Sequence, residues 1–245
     1  FEKNQDMYNV NALLSLESAV NESAWGTSSI CMNKNNLFGL NAVDSSPGTS
    51  ADTYASVEEC IRQFAAGYMS GKYLNPNDWR YFGGFLGNKA SGINVKYASD
   101  PYWGEKAANI AWTLDRLDGS TDSQVYTLGV KGTDAADYTS VNVRSAGNTS
   151  SKILYRTGTQ PAYSVLILDA EPAAGFYRIQ SDAVLSQDRQ SISSGREYDF
   201  DAMYAYISAD YVSVVNTGSA SGTTPDVTPE EPDTTPDETP EEPDT

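Results

Sequence analysis

The chain has no histidine. That absence removes the Ser-His-Asp and Cys-His nucleophile pairs and the commonest zinc ligand. The acids show no EF-hand-like spacing, so neither a metal site nor a cofactor is expected. Hydrolytic chemistry is left to carboxyl groups. Cysteine is scarce: Cys31 and Cys60 are compatible with one disulfide or with two free thiols. No apolar run reaches the roughly 18 residues that a membrane span needs. No signal peptide is visible and the first residue is Phe, so the chain reads as a processed or excised piece of something longer. Basic residues are also few, 16 against 33 acids, for a net charge of −17. Nine of these negative charges lie in Thr223–Thr245, which has no Lys or Arg. A chain so short of basic residues does not suit nucleic acid, or an anionic surface bound by charge alone.

What is present suffices for a packed core over most of the length, with 39% hydrophobic and 11% aromatic residues. The 16 tyrosines suit carbohydrate surfaces and half-buried β-faces equally. Residues Asn11–Ser23 have helical spacing, with Ala12, Leu13, Leu16, Ala19 and Val20 in one arc. Glu17 and Glu22 flank that arc on opposite sides, which predicts that they do not share one site. Tyr54–Met69 is helical through Val57, Cys60, Ile61, Phe64, Ala65 and Tyr68, and Ser56 with Glu59 forms a capping box. Asp100 and Pro101 open a helix to about Leu117, facing inward through Ala107, Ala108, Ile110, Ala111 and Leu114. Beyond Asp118–Ser123 come short β-like runs: Val125–Val130, Val141–Arg144, Ile153–Arg156, Tyr163–Leu168, Phe176–Gln180, Tyr204–Ile207 and Tyr211–Val215. They predict a small barrel with a polar insertion at Asp182–Asp201. The Pro/Thr/Glu/Asp repeats at the end read as an extended, disordered linker. The class is α+β, with a helical lobe over 1–118, a linker at 119–123, a β domain over 124–218 and a tail over 219–245.

The most informative stretch is Asn21–Gly39, NESAWGTSSICMNKNNLFG. Glu22 closes the first amphipathic helix, with Trp25 and Gly26 directly after it. A carboxyl group beside an indole at a turn has its pKa raised, which suits it to donate a proton.

The blocks NALLSLESAVNESAWGTSSICMNKNNLFGL and LGNKASGINVKYASDPYWGEKAA resemble the peptidoglycan-cleaving N-acetylglucosaminidases of glycoside hydrolase family 73. The resemblance covers roughly Tyr8–Leu117. It implies a lysozyme-like lobe with a cleft and cleavage of the β-1,4 bond after N-acetylglucosamine. Its acid corresponds to Glu22, and the tyrosine of its Y-A-(S/T)-D-P motif to Tyr97. The second half resembles a bacterial SH3-like domain through Val141–Ser145, Ser150–Leu154 and Ser208–Val212, with Phe176 where a tryptophan is usual. That implies a domain able to bind wall peptide.

Glycoside cleavage also needs a group that supports the oxocarbenium-like state or activates water. The loop Asn41–Thr53 has no Glu, only Asp44 and Asp52. Asp44 is the candidate second carboxylate, and the substrate's own 2-acetamido group is the alternative. Candidate sugar contacts are Trp25, Asn36, Phe38, Tyr102 and Trp103. Phe38 suits a core as well, Trp103 suits the cleft, and Trp79 and Tyr81 suit either. Asp100 reads as a structural cap. The expected protein is a secreted, wall-associated monomer acting on peptidoglycan glycan strands. A muramidase, a lytic transglycosylase and a non-catalytic wall-binding protein are the competing readings.

Overall fold

The structure is a computed structural model describing residues 1–43, 45–132, 139–169 and 171–219. Asp44 and the acidic segment Thr223–Thr245 lie outside the described residues. The N-terminal part comprises α1 (Glu2–Tyr8), α2 (Ala12–Ser23), α3 (Ser29–Lys34), α4 (Pro47–Ser50), α5 (Val57–Gln63) and α6 (Trp103–Leu117). Helix α5 continues directly as a π-helix over Phe64–Tyr73, so the helix expected at Tyr54–Met69 changes its winding half-way. Asn11 caps α2, accepting the Leu14 N–H at 2.9 Å, and Ser56 caps α5 through the Glu59 N–H at 3.1 Å.

The inward face of α2 differs from the expected one. Ser15, Glu17, Ser18, Ala19 and Ser23 are buried, while Leu13, Leu16 and Val20 are half-buried. Helix α6 packs on α2 and buries Trp103, Gly104, Ala107, Ala111 and Asp115. Small residues on both helices let the two backbones approach, and that closeness outweighs the apolar arc of α2. Gly104 makes a separate close approach of α6 to the loop at Gly87, because a Cβ there would lie 1.9 Å from the Gly87 carbonyl oxygen. Gly104→Ala is therefore expected to lower stability by about 1–3 kcal/mol, read as a lower midpoint in urea unfolding.

The C-terminal part is an antiparallel sheet of seven strands among the described residues. They are β1 (Thr127–Lys131), β2 (Asn142–Arg144), β3 (Ile153–Arg156), β4 (Tyr163–Ile167), β5 (Phe176–Gln180), β6 (Tyr204–Ser208) and β7 (Val212–Asn216), in the order β3-β2-β6-β5-β4-β1-β7. Each follows one of the predicted β runs, and the α+β class holds. Val143, Val165, Ile167, Ile179, Ala205 and Ile207 point to one core, as strand alternation requires. The polar insertion folds onto that core through Ala183, Leu185 and Tyr198.

The two parts meet at a buried polar knot. Asp182 Oδ2 accepts hydrogen bonds from Tyr81 Oη and Tyr163 Oη, both at 2.7 Å, and from the Gly84 N–H at 3.0 Å. Tyr81 and Gly84 come from the helical part, Tyr163 and Asp182 from the sheet. Burial raises the Asp182 pKa, and these donors oppose the rise. The stretch read as a linker is also held: Asp115 accepts the N–H groups of Asp122 and Ser123 at 2.8 and 3.0 Å.

Candidate active site

Helix α2 ends in three successive left-handed residues, Ala24 (φ 50°), Trp25 (φ 60°) and Gly26 (φ 76°). Two of them are not glycine, so the turn is costly and must be held in place. The Trp25 N–H reaches Val20 O at 3.0 Å, and the Ser28 N–H reaches Ser23 O at 2.9 Å. Ser23 Oγ accepts the Gly26 N–H at 2.7 Å and donates to Ala19 O. The turn throws Trp25 outward, 72% exposed, and leaves Glu22 exposed on the last turn of α2. Protein packed around the Glu22 carboxyl nevertheless raises its pKa by desolvation.

The indole that acts on Glu22 is Trp103, from the start of α6, rather than Trp25. It is turned to the Glu22 carboxyl and favours the charged form, yet its Nε1 completes no hydrogen bond of ordinary geometry. Trp103 is buried in the helical core at 4% exposure, which corrects its expected role as a sugar contact. Tyr97 packs on Trp103 with ring centroids 4.5 Å apart and meets Tyr73 edge-on at 5.4 Å. Burial holds the Tyr97 hydroxyl protonated, and the carboxyls of Glu22 and Glu17 act in the same sense. Glu22 and Tyr97, far apart in sequence, are thus brought into one electrostatic neighbourhood.

Tyr97 is placed by Asn94 and Lys89. Asn94, fully buried, donates to Asp100 O at 3.1 Å and Pro101 O at 3.3 Å. Lys89 Nζ donates to Asn94 O at 2.7 Å and to Ala98 O. Asp100 is structural: it accepts the Tyr102 N–H at 2.9 Å and pairs with Lys106 at 2.6 Å.

Other sequence candidates separate clearly. Phe38 stacks on Phe64 at 3.8 Å inside the core, so it is not a sugar contact. Asn36 is buried as well: its side-chain amide binds Leu40 O and Asp52 O, and Oδ1 accepts the Leu40 N–H. The Asn-Leu-Phe-Gly stretch therefore builds the floor behind the site. Tyr102 is 65% exposed beside buried Trp103, and Trp79 is 69% exposed. Tyr81 belongs to the knot with Asp182. Asp44 lies outside the described residues. Asp52, the other acid of its loop, is engaged by Asn41 Nδ2 at 2.8 Å and Tyr54 Oη at 3.2 Å. Cys31 and Cys60 are both buried and free. No group of three potential metal ligands gathers among the described residues. A cavity of about 790 Å³ opens at the seam between α1, α2 and the sheet, bordered by Leu14, Phe85, Tyr126 and Phe200, and neither Glu22 nor Tyr97 lines it.

Sequence reasoning missed Glu17. It is 0% exposed, and burial raises its pKa from 4.5 to about 7, with the Ser18 hydroxyl opposing and the Glu22 charge adding. Glu17 is buried and Glu22 exposed on the same helix, while the Glu22 charge adds to the rise of the Glu17 pKa and both carboxyls bear on Tyr97. The signal was the run of small residues around Glu17, which marks a close helix contact. A folded pKa above the unfolded one means that the neutral acid is what folding favours. The Glu17 contribution is complete below pH 4.5, declines as pH rises through about 7, and is absent above that. Its size is about 3 kcal/mol. Urea unfolding at pH 4.5 and pH 8 is expected to show this loss in wild type, and a Glu17→Gln protein to lack it.

Residues 1–116 match the glucosaminidase family model, described as mannosyl-glycoprotein endo-beta-N-acetylglucosaminidase. Two proteins of Streptococcus pneumoniae, from serotype 4 (strain ATCC BAA-334 / TIGR4) and strain ATCC BAA-255 / R6, carry the name "Putative endo-beta-N-acetylglucosaminidase". Each is 41% identical to this chain over 122 residues, covering 50% of it. The chain spans only 18% and 16% of their lengths.

Proposed function

We propose that this chain, whose residues 1–116 match the glucosaminidase family model, is a glycoside hydrolase that cleaves the β-1,4 bond after N-acetylglucosamine in peptidoglycan, with Glu22 as the acid. The observation that carries the assignment is the Glu22 carboxyl itself. It is reachable from solvent at the end of α2, its pKa is raised by the surrounding protein, and Trp103 and Tyr97 stand behind it. A neutral carboxylic acid at that position protonates the leaving glycosidic oxygen. Tyr97, held protonated, supplies a hydroxyl donor beside it. With Asp52 committed to Asn41 and Tyr54, the substrate's 2-acetamido group is the favoured internal nucleophile, and Asp44 is the protein-borne alternative. Exposed Trp25 and Tyr102 offer ring faces to sugars. The seven-stranded sheet is read as an SH3-like domain that engages wall peptide, and the protein as secreted and wall-associated.

The test is the identity of the new chain ends. Purified peptidoglycan is digested, reduced with borohydride and analysed by mass spectrometry. Glucosaminitol ends support the proposal. Muramitol ends would identify a muramidase, anhydro-muramic ends a lytic transglycosylase, and retained binding without new ends a wall-binding protein.

A further inference from the structure

The surface beside Tyr97 differs in charge from the rest of the chain. Basic residues are few, 16 against 33 acids, yet several stand over aromatic rings here. Lys72 Nζ lies 4.0 Å from the centroid of the Tyr68 ring, and the Arg80 guanidinium 5.0 Å from that of Trp79. Lys96 Nζ faces two rings, 5.7 Å from the Trp79 centroid and 5.6 Å from that of Phe82. Two chain segments bring these groups to Tyr97. Lys96 immediately precedes it. Tyr73 ends the π-helix and meets the Tyr97 ring edge-on at 5.4 Å, and the loop carrying Trp79 and Arg80 leaves directly from Tyr73.

The charges do not cancel within the cluster. Asp78 pairs with Arg80 at 2.8 Å. Lys72 and Lys96 form no ion pair among the described residues. Lys96 is exposed, and Trp79 is 69% exposed. Cation–π contacts at such positions orient an ammonium without neutralising it. The oriented ammonium keeps donors for an anion and loses less freedom when one binds. The exposed indole next to it offers an apolar face of the kind a sugar ring covers. A solvated lysine needs no ring beneath it, and a core tryptophan is not left exposed.

We propose that Trp79 and Lys96 form a substrate subsite beside Tyr97 that takes a carboxylate-bearing unit of the glycan strand: the indole covers the sugar face, and the Lys96 ammonium donates to the carboxylate. This rests on the reading of the Glu22 and Tyr97 region as the site of peptidoglycan cleavage. The carboxylate has two sources, the stem peptide and the lactyl group of a unit without one. Lys72 and Arg80 add to the positive potential at the same surface. Lys96 selects the substrate and takes no part in the proton transfer.

The experiment measures kcat and KM with the full chain for wild type, Lys96→Gln and Lys96→Arg, each checked for folding by circular dichroism. The substrates are native peptidoglycan and peptidoglycan whose carboxylates are blocked as methylamides with a carbodiimide. On the native substrate at low salt, Lys96→Gln is expected to lose about threefold to fivefold in kcat/KM, chiefly through KM. Lys96→Arg is expected to keep most of the rate, and the loss in Lys96→Gln to shrink in about 1 M salt. Blocking the carboxylates is expected to erase the difference between the proteins. Strands freed of peptide by an amidase identify the source: a difference that persists there supports the lactyl group, and one that vanishes supports the stem peptide. A loss in Lys96→Gln that is equal on native and blocked substrate means that Lys96 only supports Tyr97, and overturns the proposal. A wild type that produces no new ends on either substrate overturns the cleavage reading and this proposal with it. An active wild type matched by Lys96→Gln on native peptidoglycan overturns this proposal alone.

Discussion

A Glu22→Gln protein is expected to fold as the wild type does and to lose about 10³-fold in kcat/KM, within the range that removal of a general acid produces. The substitution keeps the shape and polarity of the side chain and removes only the transferable proton. Glu22 is exposed at the end of α2, so the core has little to lose from the change. Glu17 does not replace it, because its carboxyl is sealed against α6 with no exposed surface. Thermal unfolding and steady-state rates on the same preparation separate the two effects. A loss under tenfold with an unchanged melting temperature would transfer the acid's role to another residue.

The second large effect concerns the attachment of the sheet to the helical lobe. Asp182→Ala is expected to destabilise the chain by about 3–5 kcal/mol, because it leaves the donors of Tyr81, Tyr163 and Gly84 buried without their acceptor. Asp182→Asn retains one acceptor oxygen and is expected to cost less. Gly84 tightens the seat, since a Cβ there would lie 2.8 Å from the Asp182 carboxyl. Urea unfolding followed by tryptophan fluorescence reads the change. The four tryptophans all lie in the helical lobe, so a midpoint lowered by a substitution in the sheet would show directly that the knot stabilises the lobe. A shift below 1 kcal/mol for Asp182→Ala would mean that water replaces the carboxylate without cost.

Local signals in the sequence were sufficient for the elements. Ser56 with Glu59 announced a helix start, and short β-like runs marked each strand from β1 to β7. Glu22 was legible because a carboxyl at a helix end before Trp-Gly stands out. The facing of α2 was not legible, because periodicity weighs side-chain hydrophobicity and not the closeness that Ser15, Ser18 and Ala19 allow where α2 packs on α6. For the same reason the burial of Glu17 was not anticipated. Trp25 was assigned the indole's role because it is near in sequence, whereas Trp103 takes that role through the packing of α6 on α2. Asn36 and Phe38 were named as candidate sugar contacts, Phe38 with core packing as its other reading, and both belong to the scaffold behind the site. The Asp182 knot joins residues about a hundred positions apart and leaves no local pattern beyond an abundance of tyrosine.

The claim at the centre of the account is that the Glu22 carboxyl is the proton donor. Carbon-13 NMR titration of labelled glutamate carboxyls, with Glu22 assigned through the Glu22→Gln protein, gives its pKa in the free protein. The alkaline limb of kcat/KM for peptidoglycan cleavage reports the essential acid of that same free state. The account predicts that the two coincide and lie above the ordinary glutamate value of 4.5. An alkaline limb that follows a different ionisation, or a Glu22 carboxyl that titrates at or below the ordinary value, would contradict it.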